Sequence, residues 1–396
     1  MVGALDGVKV LDLSRYIAGP FCAQILGDLG ADVVKVERSD GGEEGRRVGE
    51  TVGGDTLFFM SSNRNKRSLT LDFRNPRSQE LLRALAAGAD ILIENFRPGT
   101  MERMGCGWDV LSGLNPRLIM VRVSGFGQDG PLADHACFDG AAQALSGVMY
   151  QTGQADGPPT MSGVFVCDYG TALYAAIGAL GALQARQRTG RGQVVEATLF
   201  ETGISMLTTA IPEKILFGNE MSRLGNRDRY LSPSHCLRSA DGVWIYVVAG
   251  NEVHFPRLLA VMERPELADD PRFSTFMARN ANVAELERII DDWAAGVPGD
   301  EILRRLHEAD VPCERVATIG DVVDNPQARH RGVIVEVPHP ELGSVPFQGP
   351  AVRLHETPAT VRTGAPALGE HTEAVLRDWL GYQEKDIEDL RTENAI

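Results

Sequence analysis

Basic side chains gather in two short segments of a chain that is acidic overall. The segment SSNRNKR at residues 61–67 holds three basic residues and no acid, and NFRPGTMER at 95–103 adds two arginines. Arginine and lysine suit phosphate groups, and arginine also offers bidentate hydrogen bonding. These segments predict a local pocket for a phosphorylated small molecule, with a solvated surface face as the alternative for any single basic residue.

Charge and hydropathy disfavour several kinds of partner. The formal net charge of -15 argues against nucleic acid and an anionic membrane, because both attract basic surfaces. The longest apolar segment, Ala172–Leu183, is shorter than the roughly 20 residues that a membrane-spanning helix requires. No signal-peptide pattern opens the sequence. We therefore expect a cytoplasmic protein with neither a nucleic-acid nor a membrane partner.

Cysteine and histidine patterns give little support to a metal site. The six cysteines are scattered without a CxxC pair, and the eight histidines include neither HExxH nor HxH. Chelating sites usually show such spacings. The sequence therefore predicts reduced thiols and no bound metal.

The amino-terminal segment has a βαβ pattern that would position such a pocket. Val8–Ser14 and Asp32–Glu37 are apolar and rich in β-formers, and Gly19–Gly30 carries apolar residues at helical spacing. This pattern predicts a parallel, doubly wound sheet, whose ligands bind at the carboxyl ends of the strands. The turn SRYIAGP lacks the GxGxxG glycines that bring backbone amides to a pyrophosphate, and Arg38 directly follows Glu37. A nicotinamide cofactor is therefore disfavoured.

Strand and helix patterns alternate until residue 199 and then change in texture. We predict a large α/β domain over residues 1–199, completed by 330–396, and a smaller α/β domain over 226–318. Segments 200–225 and 319–329 would link them. Within the large domain, helices over 139–150 and 169–188 flank the turn-rich segment 152–163.

Long stretches of the chain resemble the family III CoA-transferases, of the formyl-CoA transferase and carnitine CoA-transferase type. They follow in order along nearly the whole chain: LDGVKVLDLSRYIAGPFCAQILGDLGADVVKVER, NRNKRSLTLDF, ADILIENFRPGTMERMG, NPRLIMVRVSGFGQDGP, TGRGQVVEATL and LGEHTEAVLRDWLGY. The resemblance implies a Rossmann-like, CoA-binding large domain and a homodimer of two interlocked rings. It also implies a coenzyme A thioester and a carboxylic acid as substrates, with no permanently bound cofactor.

The resemblance places a catalytic carboxylate at Asp168, in the run SGVFVCDYGTALYAAIGALGAL. Taken alone, an aspartate before a helix is usually an N-cap. In the family, the carboxylate attacks the thioester to give a mixed anhydride and then an aspartyl-CoA thioester, so covalent catalysis divides a difficult transfer. Asp139 is expected to orient groups or protonate during exchange, with an N-cap as its alternative role. Backbone amides of Ser124–Gly130 are candidates for an oxyanion hole.

The resemblance also assigns coenzyme A contacts and constrains the acyl group. The contacts fall on Ile17, Ala18, Arg38, Leu71, Arg74, Asn95, Phe96 and Arg103. Formyl-CoA transferases carry glutamine and lysine where this chain has Ile17 and Ala136, and they have a run of glycines in the smaller domain that is missing here. These departures disfavour formate and oxalate, and suggest a larger or more apolar acid, dicarboxylic or branched.

Acyl-CoA racemases share the fold family and are the main alternative function. They abstract the α-proton of a 2-methylacyl-CoA with a histidine and an aspartate as paired bases. Their HD motif aligns with CFDGAAQALSG, in which Phe138 occupies the histidine position and Asp139 keeps the acid. His135 lies three residues earlier and would serve only if the alignment were shifted. A non-catalytic protein that binds coenzyme A is a third possibility.

Overall fold

A computed structural model describes residues 2–396. Its strands are β1 Lys9–Asp12, β2 Asp32–Arg38, β3 Thr51–Val52, β4 Asp55–Thr56, β5 Lys66–Leu71, β6 Ile91–Glu94, β7 Ile119–Ser124, β8 Val194–Thr198, β9 Ser234–Arg238, β10 Trp244–Val248, β11 Cys313–Arg315, β12 Ile334–His339 and β13 Gly343–Gln348. Its helices are α1 Ala18–Asp28, α2 Leu57–Met60, α3 Pro76–Ala87, α4 Thr100–Arg103, α5 Trp108–Leu114, α6 Asp139–Ser146, α7 Val148–Gln151, α8 Val166–Thr189, α9 Leu199–Ser205, α10 Ala210–Phe217, α11 His254–Val261, α12 Phe276–Ala281, α13 Val283–Ala294, α14 Gly299–Glu308, α15 Ile319–Asp324, α16 Pro326–Arg331, α17 Thr372–Leu380 and α18 Glu384–Thr392.

The chain divides into two compact units. The first comprises residues 1–148, 162–211 and 327–396, and the second comprises 149–161 and 212–326. The carboxyl-terminal segment returns to the first unit, and residues 149–161 lie with the second.

The first unit contains a six-stranded parallel sheet in the order β5-β2-β1-β6-β7-β8. Counted along the chain, this order is 3-2-1-4-5-6, the arrangement of doubly wound, Rossmann-like sheets. The predicted α/β fold with a parallel sheet is confirmed. In such sheets the strand order reverses between the first and fourth strands, here β1 and β6, and the loops that follow these two strands diverge to leave a crevice.

Both faces of the sheet are buried, which explains its nearly continuous apolar strands. Alternate residues point to opposite faces: Val10 and Ile93 belong to a core shared with α1 and α8, whereas Leu11 and Leu92 belong to a core shared with α3 and α17. The sheet is therefore a fixed platform for the loops at its carboxyl edge.

Helix α8 is a core element of this unit, packing against α1, β7, β8 and α9. It is the one helix within residues 2–396 that is long and apolar enough to cross a membrane, at 24 residues, but core helices of soluble proteins meet the same criterion. Its glycines allow close approach to α9: a methyl group at Gly170 would lie 2.6 Å from Met206 Cε. One at Gly203 of α9 would lie 2.3 Å from Ser146 Oγ and 3.3 Å from Cys167 Sγ. Helices α6, α8 and α9 thus meet without spare space.

The second unit is built on a three-stranded antiparallel sheet in the order β11-β10-β9. Its core combines these strands with α11, α13 and α14, through residues such as Ile245, Leu258 and Ile290. The segment predicted as one helix over 139–150 is interrupted at Gly147, whose φ of 92° ends α6.

Candidate active site

A cavity of about 190 Å³ opens at the carboxyl edge of the sheet. It lies where the loops after β1, β6 and β7 meet, at the reversal of strand order. Its lining comprises Arg15, Tyr16, Ile17, Ala18, Asn95, Phe96, Arg97, Pro98, Val123, Ser124, Gly125, Ala133, His135, Ala136, Cys137, Phe138, Asp168 and Leu199.

The loop after β1 is held from both sides in a constrained conformation. Asn95 accepts a hydrogen bond from the Arg15 amide at 2.8 Å through Oδ1 and donates to the Arg15 carbonyl at 2.7 Å through Nδ2. Tyr16 has a φ of 66°, in the left-handed region that side chains other than glycine seldom adopt. Its amide donates to Glu43 Oε2 at 2.9 Å. These bonds fix the wall of the cavity that precedes α1.

A network of buried aspartate and lysine side chains supports this loop. Asp12, with no exposed surface, contacts Lys66 Nζ at 2.8 Å and Lys35 Nζ at 3.8 Å, and Lys35 Nζ donates to the Ser14 carbonyl at 2.8 Å. Ser14 Oγ also donates to Asp12. Burial by itself would raise the pKa of Asp12, but Lys35 and Lys66 bring it down to about 2. Burial also disfavours the charged form of Lys66, so it lowers the pKa of this ammonium group to about 8, although the negative charge of Asp12 opposes the shift.

The basic segment at residues 61–67 is not a phosphate site, because its donors are already used. It leads into β5 and includes the first two residues of that strand, so it lies at the strand's amino end. Arg64 pairs with Asp28 at 2.6 Å, and Lys66 is buried on Asp12. Arg67 bridges two acids, Asp32 at 2.6 Å and Asp378 at 2.9 Å. Local charge in the sequence did not reveal these partners because most lie far away along the chain.

Asp168 projects into the cavity from the first turn of α8. Phe165, not Asp168, is the N-cap of this helix. No donor within residues 2–396 makes a hydrogen bond to the Asp168 carboxylate, which is half-buried. Burial, reinforced by the negative charge of Asp139, raises the pKa of Asp168 to about 7. The side chain is therefore a basic, weakly solvated carboxylate.

Asp139 satisfies the amides at the start of α8 in place of Asp168. Its Oδ1 accepts hydrogen bonds from the amides of Cys167 at 2.8 Å and Asp168 at 3.1 Å. Its Oδ2 accepts one from Gln143 Nε2 at 2.5 Å. Asp139 is buried, so these bonds replace the water that its charge would otherwise need. The Asp139 side chain thus satisfies the first amides of α8, which begins 27 residues later, and not those of its own helix.

Aromatic rings and the Cys137 thiol also line the cavity, and the Cys167 thiol is buried nearby. Tyr16 and Phe138 meet edge to face at 5.5 Å, and Phe138 is 63% exposed. The Arg15 guanidinium lies 5.1 Å from the centre of the Phe96 ring. Burial and the two nearby carboxylates raise the pKa of Cys137 to about 11 and that of Cys167 to about 12, so both thiols stay protonated near neutral pH. Among these groups Asp168 is therefore the candidate for an anionic nucleophile.

Half of the predicted coenzyme A contacts line the cavity and half do not. Ile17, Ala18, Asn95 and Phe96 do, although the Asn95 amide is already engaged with the loop backbone. The others lie outside it: Leu71 is buried in the core, Arg38 pairs with Asp40 and Glu44, Arg74 is exposed, and Arg103 donates to Thr100 Oγ1. In Ser124–Gly130, the Gly127 amide donates to Ser124 Oγ at 2.9 Å, and Gly125 lines the cavity.

Two residues that organise the site were not predicted. Glu43 holds the Tyr16 amide, and Gln143 holds Asp139. Gln143 follows Asp139 by one helical turn, a spacing at which aspartate and glutamine side chains meet. That signal was present in DGAAQ. Nothing local links Glu43 to Tyr16, because the contact joins two loops 27 residues apart.

A family model described as CoA-transferase family III matches residues 5–372. Curated relatives span the same length. The chain is 41% identical to succinyl-CoA–D-citramalate CoA-transferase of Chloroflexus aurantiacus, with 99% of this chain and 98% of that protein covered. It is 33% identical to succinyl-CoA:glutarate CoA-transferase of Mus musculus (99% and 90% covered) and 34% identical to formyl-CoA:oxalate CoA-transferase of Streptomyces avermitilis (100% of both covered).

Solved structures agree with these matches. A CAIB/BAIF family protein from Brucella suis superposes with a TM-score of 0.85 at 34% identity, covering 96% of this chain and 100% of that one. Rv3272 from Mycobacterium tuberculosis gives a TM-score of 0.84 at 29% identity, covering 94% and 98%.

Proposed function

Because this chain belongs to the family III CoA-transferases, we propose that it moves CoA from succinyl-CoA to a second dicarboxylic acid through covalent intermediates on Asp168. The observation that carries the proposal is the carboxylate itself, which lies in the cavity without a hydrogen-bond donor and has a pKa raised to about 7. A carboxylate that is poorly stabilised as an anion is a better nucleophile, and most of it is still ionised slightly above neutral pH.

The transfer needs no reactant besides succinyl-CoA and the acceptor acid. An Asp168 oxygen attacks the thioester carbonyl, the carbon–sulfur bond breaks, and CoA leaves as a thiolate from a mixed anhydride. The thiolate attacks the Asp168 carbonyl carbon and releases succinate, leaving an aspartyl-CoA thioester. The acceptor carboxylate attacks this thioester and expels the thiolate to give a second anhydride. Attack of the thiolate on the acceptor acyl carbon forms the new thioester and regenerates the carboxylate.

The dicarboxylate preference rests on the relatives and on the cavity wall. Proteins named for transfer from succinyl-CoA to D-citramalate, L-malate and glutarate are 33–41% identical to this chain. Ile17 and Ala136, which replace the polar residues of formyl-CoA transferases, both line the cavity. Arg15 lines it too, with Nη1 paired to Glu44 at 3.2 Å and Nε without a hydrogen-bond partner among residues 2–396, so a distal carboxylate would share this cation with Glu44. A screen of D-citramalate, L-malate, glutarate and oxalate with succinyl-CoA, read by mass spectrometry, tests this preference.

The covalent step is tested by trapping. With succinyl-CoA and hydroxylamine, the wild-type protein should become inactive and carry a hydroxamate on Asp168 within the peptide Gly163–Arg186. Asp168→Ala should remain unmodified and should not transfer CoA. An unmodified peptide after complete inactivation, or full turnover by Asp168→Ala, would contradict the nucleophile.

One observation supports a racemase as a second candidate: His135 lines the same cavity as Asp168, so an imidazole and a carboxylate are both available there. Phe138, at the aligned position of the racemase base, cannot accept a proton. Incubation of a chiral 2-methylacyl-CoA in deuterated water, without an acceptor acid, separates the functions. A transferase leaves the α-hydrogen in place, whereas α-deuterium uptake would favour the racemase.

We also propose a homodimer in the cytoplasm, in which the two chains interlock. Large apolar side chains are exposed on α8 at Leu173 and Ile177, and on α10 at Ile215 and Phe217, the last two by 75% and 73%. Exposed apolar surface of this kind usually has a partner. Light scattering should give twice the chain mass of 42.9 kDa. A monomer at micromolar concentration would contradict the dimer.

A further inference from the structure

The side chain of Gln143 lies at the centre of a chain of hydrogen bonds that ends at the proposed nucleophile. It is fully buried on α6, and both ends of its amide are used. Nε2 donates to Asp139 Oδ2 at 2.5 Å, and Oε1 accepts from the Ser162 amide at 2.9 Å. Gln143 therefore ties the segment that leads into α8 to the carboxylate that holds the first amides of α8.

The consequence of this arrangement appears at Asp168. The amides of Cys167 and Asp168 point to Asp139, so they are not available to the Asp168 carboxylate. Were Asp139 to turn away, these amides and the helix dipole would be free to stabilise the Asp168 anion and make it a weaker nucleophile. Asp139 can keep Oδ1 on these amides only if its other oxygen, Oδ2, also has a hydrogen-bond donor. Gln143 is that donor.

We propose that Gln143 is a positioning residue for the CoA transfer, acting through Asp139 to keep the Asp168 carboxylate free of hydrogen bonds. This inference rests on the proposed nucleophilic role of Asp168. Gln143 does not line the cavity, so it does not touch the substrate. Its effect should consequently fall on the rate of the chemical step and on its pH dependence, and not on substrate binding.

The titratable and charged side chains around Asp168 determine how the rate of CoA transfer should depend on pH. Burial is the larger cause of the raised pKa of Asp168, and the negative charge of Asp139 raises it further. The other titratable groups nearby are Cys137 and Cys167, whose pKa values lie near 11 and 12, and Tyr169, whose pKa burial raises. His135 and Arg15 also line the cavity. Of these, Asp139 is the group to which Gln143 donates a hydrogen bond.

The variant Gln143→Met keeps the size of the side chain and removes both hydrogen bonds. Asp139 is then no longer held through Oδ2 and can turn away from the amides of Cys167 and Asp168, which become free to donate to the Asp168 carboxylate and stabilise its anion. With succinyl-CoA and glutarate, we expect kcat to fall about 10-fold, the scale of one buried hydrogen bond. The KM for succinyl-CoA should change less than about 2-fold. The acidic limb of the rate profile should move to lower pH.

Gln24 offers a matched control in the same unit. It is buried on α1, and its amide also makes two hydrogen bonds, donating to the Ser61 carbonyl and accepting from the Arg64 amide at 3.2 Å each. Gln24→Met should therefore cost similar stability without moving the acidic limb. An equal movement of the limb in both variants would overturn the proposal.

A double substitution keeps the proposal testable if the single variants fail to fold. In Asp139→Asn the new amide nitrogen would face the Gln143 amide nitrogen, two donors in conflict. Asp139→Asn combined with Gln143→Glu reverses donor and acceptor, rebuilds every bond in the chain and keeps the net charge. We expect the double variant to recover thermal stability and most of the kcat that either single variant loses, the signature of a direct pair.

The outcomes separate this inference from the proposed function. If wild-type protein gives no hydroxamate on Asp168, the nucleophile is wrong, whatever Gln143 does. If the hydroxamate forms but Gln143→Met keeps kcat and the acidic limb of the wild type, the positioning role is wrong. A fall in kcat that matches only the loss of folded protein, with the limb unmoved, would also overturn it.

Discussion

Asp12 and Asp168 are carboxylates of one unit in opposite surroundings. Asp12 lies under the β1 loop, fully buried, with Lys35 and Lys66 beside it and a hydroxyl donating to it, and its pKa falls to about 2. Asp168 is less buried, yet it has no donor and has a like charge nearby, and its pKa rises to about 7. Burial alone therefore does not decide the behaviour of a carboxylate; its partners do. One group holds the loop and the other remains reactive.

The largest effect should follow from removing the reactive member. Asp168→Asn has nearly the same shape but lacks the nucleophile, so CoA transfer should fall by roughly 10³-fold or more, as for loss of a covalent catalyst. The fold should persist because Asp168 accepts no hydrogen bond. Turnover with succinyl-CoA, together with circular dichroism, checks both parts. A fall below 10-fold would mean that the two carboxylates differ less in function than their surroundings suggest.

The next effect concerns stability. Asp12→Asn leaves Lys66 buried without its counter-charge and leaves Lys35 with Glu43 at 3.4 Å, which should cost about 3–5 kcal/mol in the free energy of unfolding. Urea denaturation of the two Asp→Asn variants in parallel measures the contrast. An Asp12→Asn variant as stable as Asp168→Asn would show that the network contributes nothing to the fold.

A smaller effect is expected in the pH profile. Asp168 must be ionised to attack, so kcat/KM should rise with pH and level off above about 7. Asp139→Asn removes the neighbouring charge and should move this limb to lower pH, even where the maximum rate falls. A limb that stays near pH 7 in the variant would mean that burial alone sets it.

The smallest effect is on stability as a function of pH. The pKa of Asp168 is higher in the folded than in the unfolded chain, so the folded state binds the proton more tightly and loses stability as pH rises from about 4 to about 7. Asp168→Asn cannot show this loss. The melting temperature of the variant relative to wild type should therefore increase across that window. A constant difference would contradict the raised pKa.

Much of the fold was predictable because its signals are local. Apolar strands alternating with helices predicted the parallel sheet, and its strand order puts the cavity where such sheets bind ligands. Gly147 broke a predicted helix because a residue at φ 92° cannot continue it. Contacts between distant segments were not predictable: Arg64 with Asp28, and Asp139 with the amides of Cys167 and Asp168. The local capping rule placed Asp168 at the helix boundary, whereas the cap came from another helix.

The crowded junction of α6, α8 and α9 has a consequence for how acid specificity can change. Gly203 faces Ser146 and Cys167 with no room for a methyl group, so this side of the site cannot be enlarged or reduced without displacing the helix that carries Asp168. Tyr16 and the largely exposed Phe138 line the cavity outside this junction. A change of acid specificity would therefore require substitution of Tyr16 or Phe138, while the residues of the helical junction stay the same.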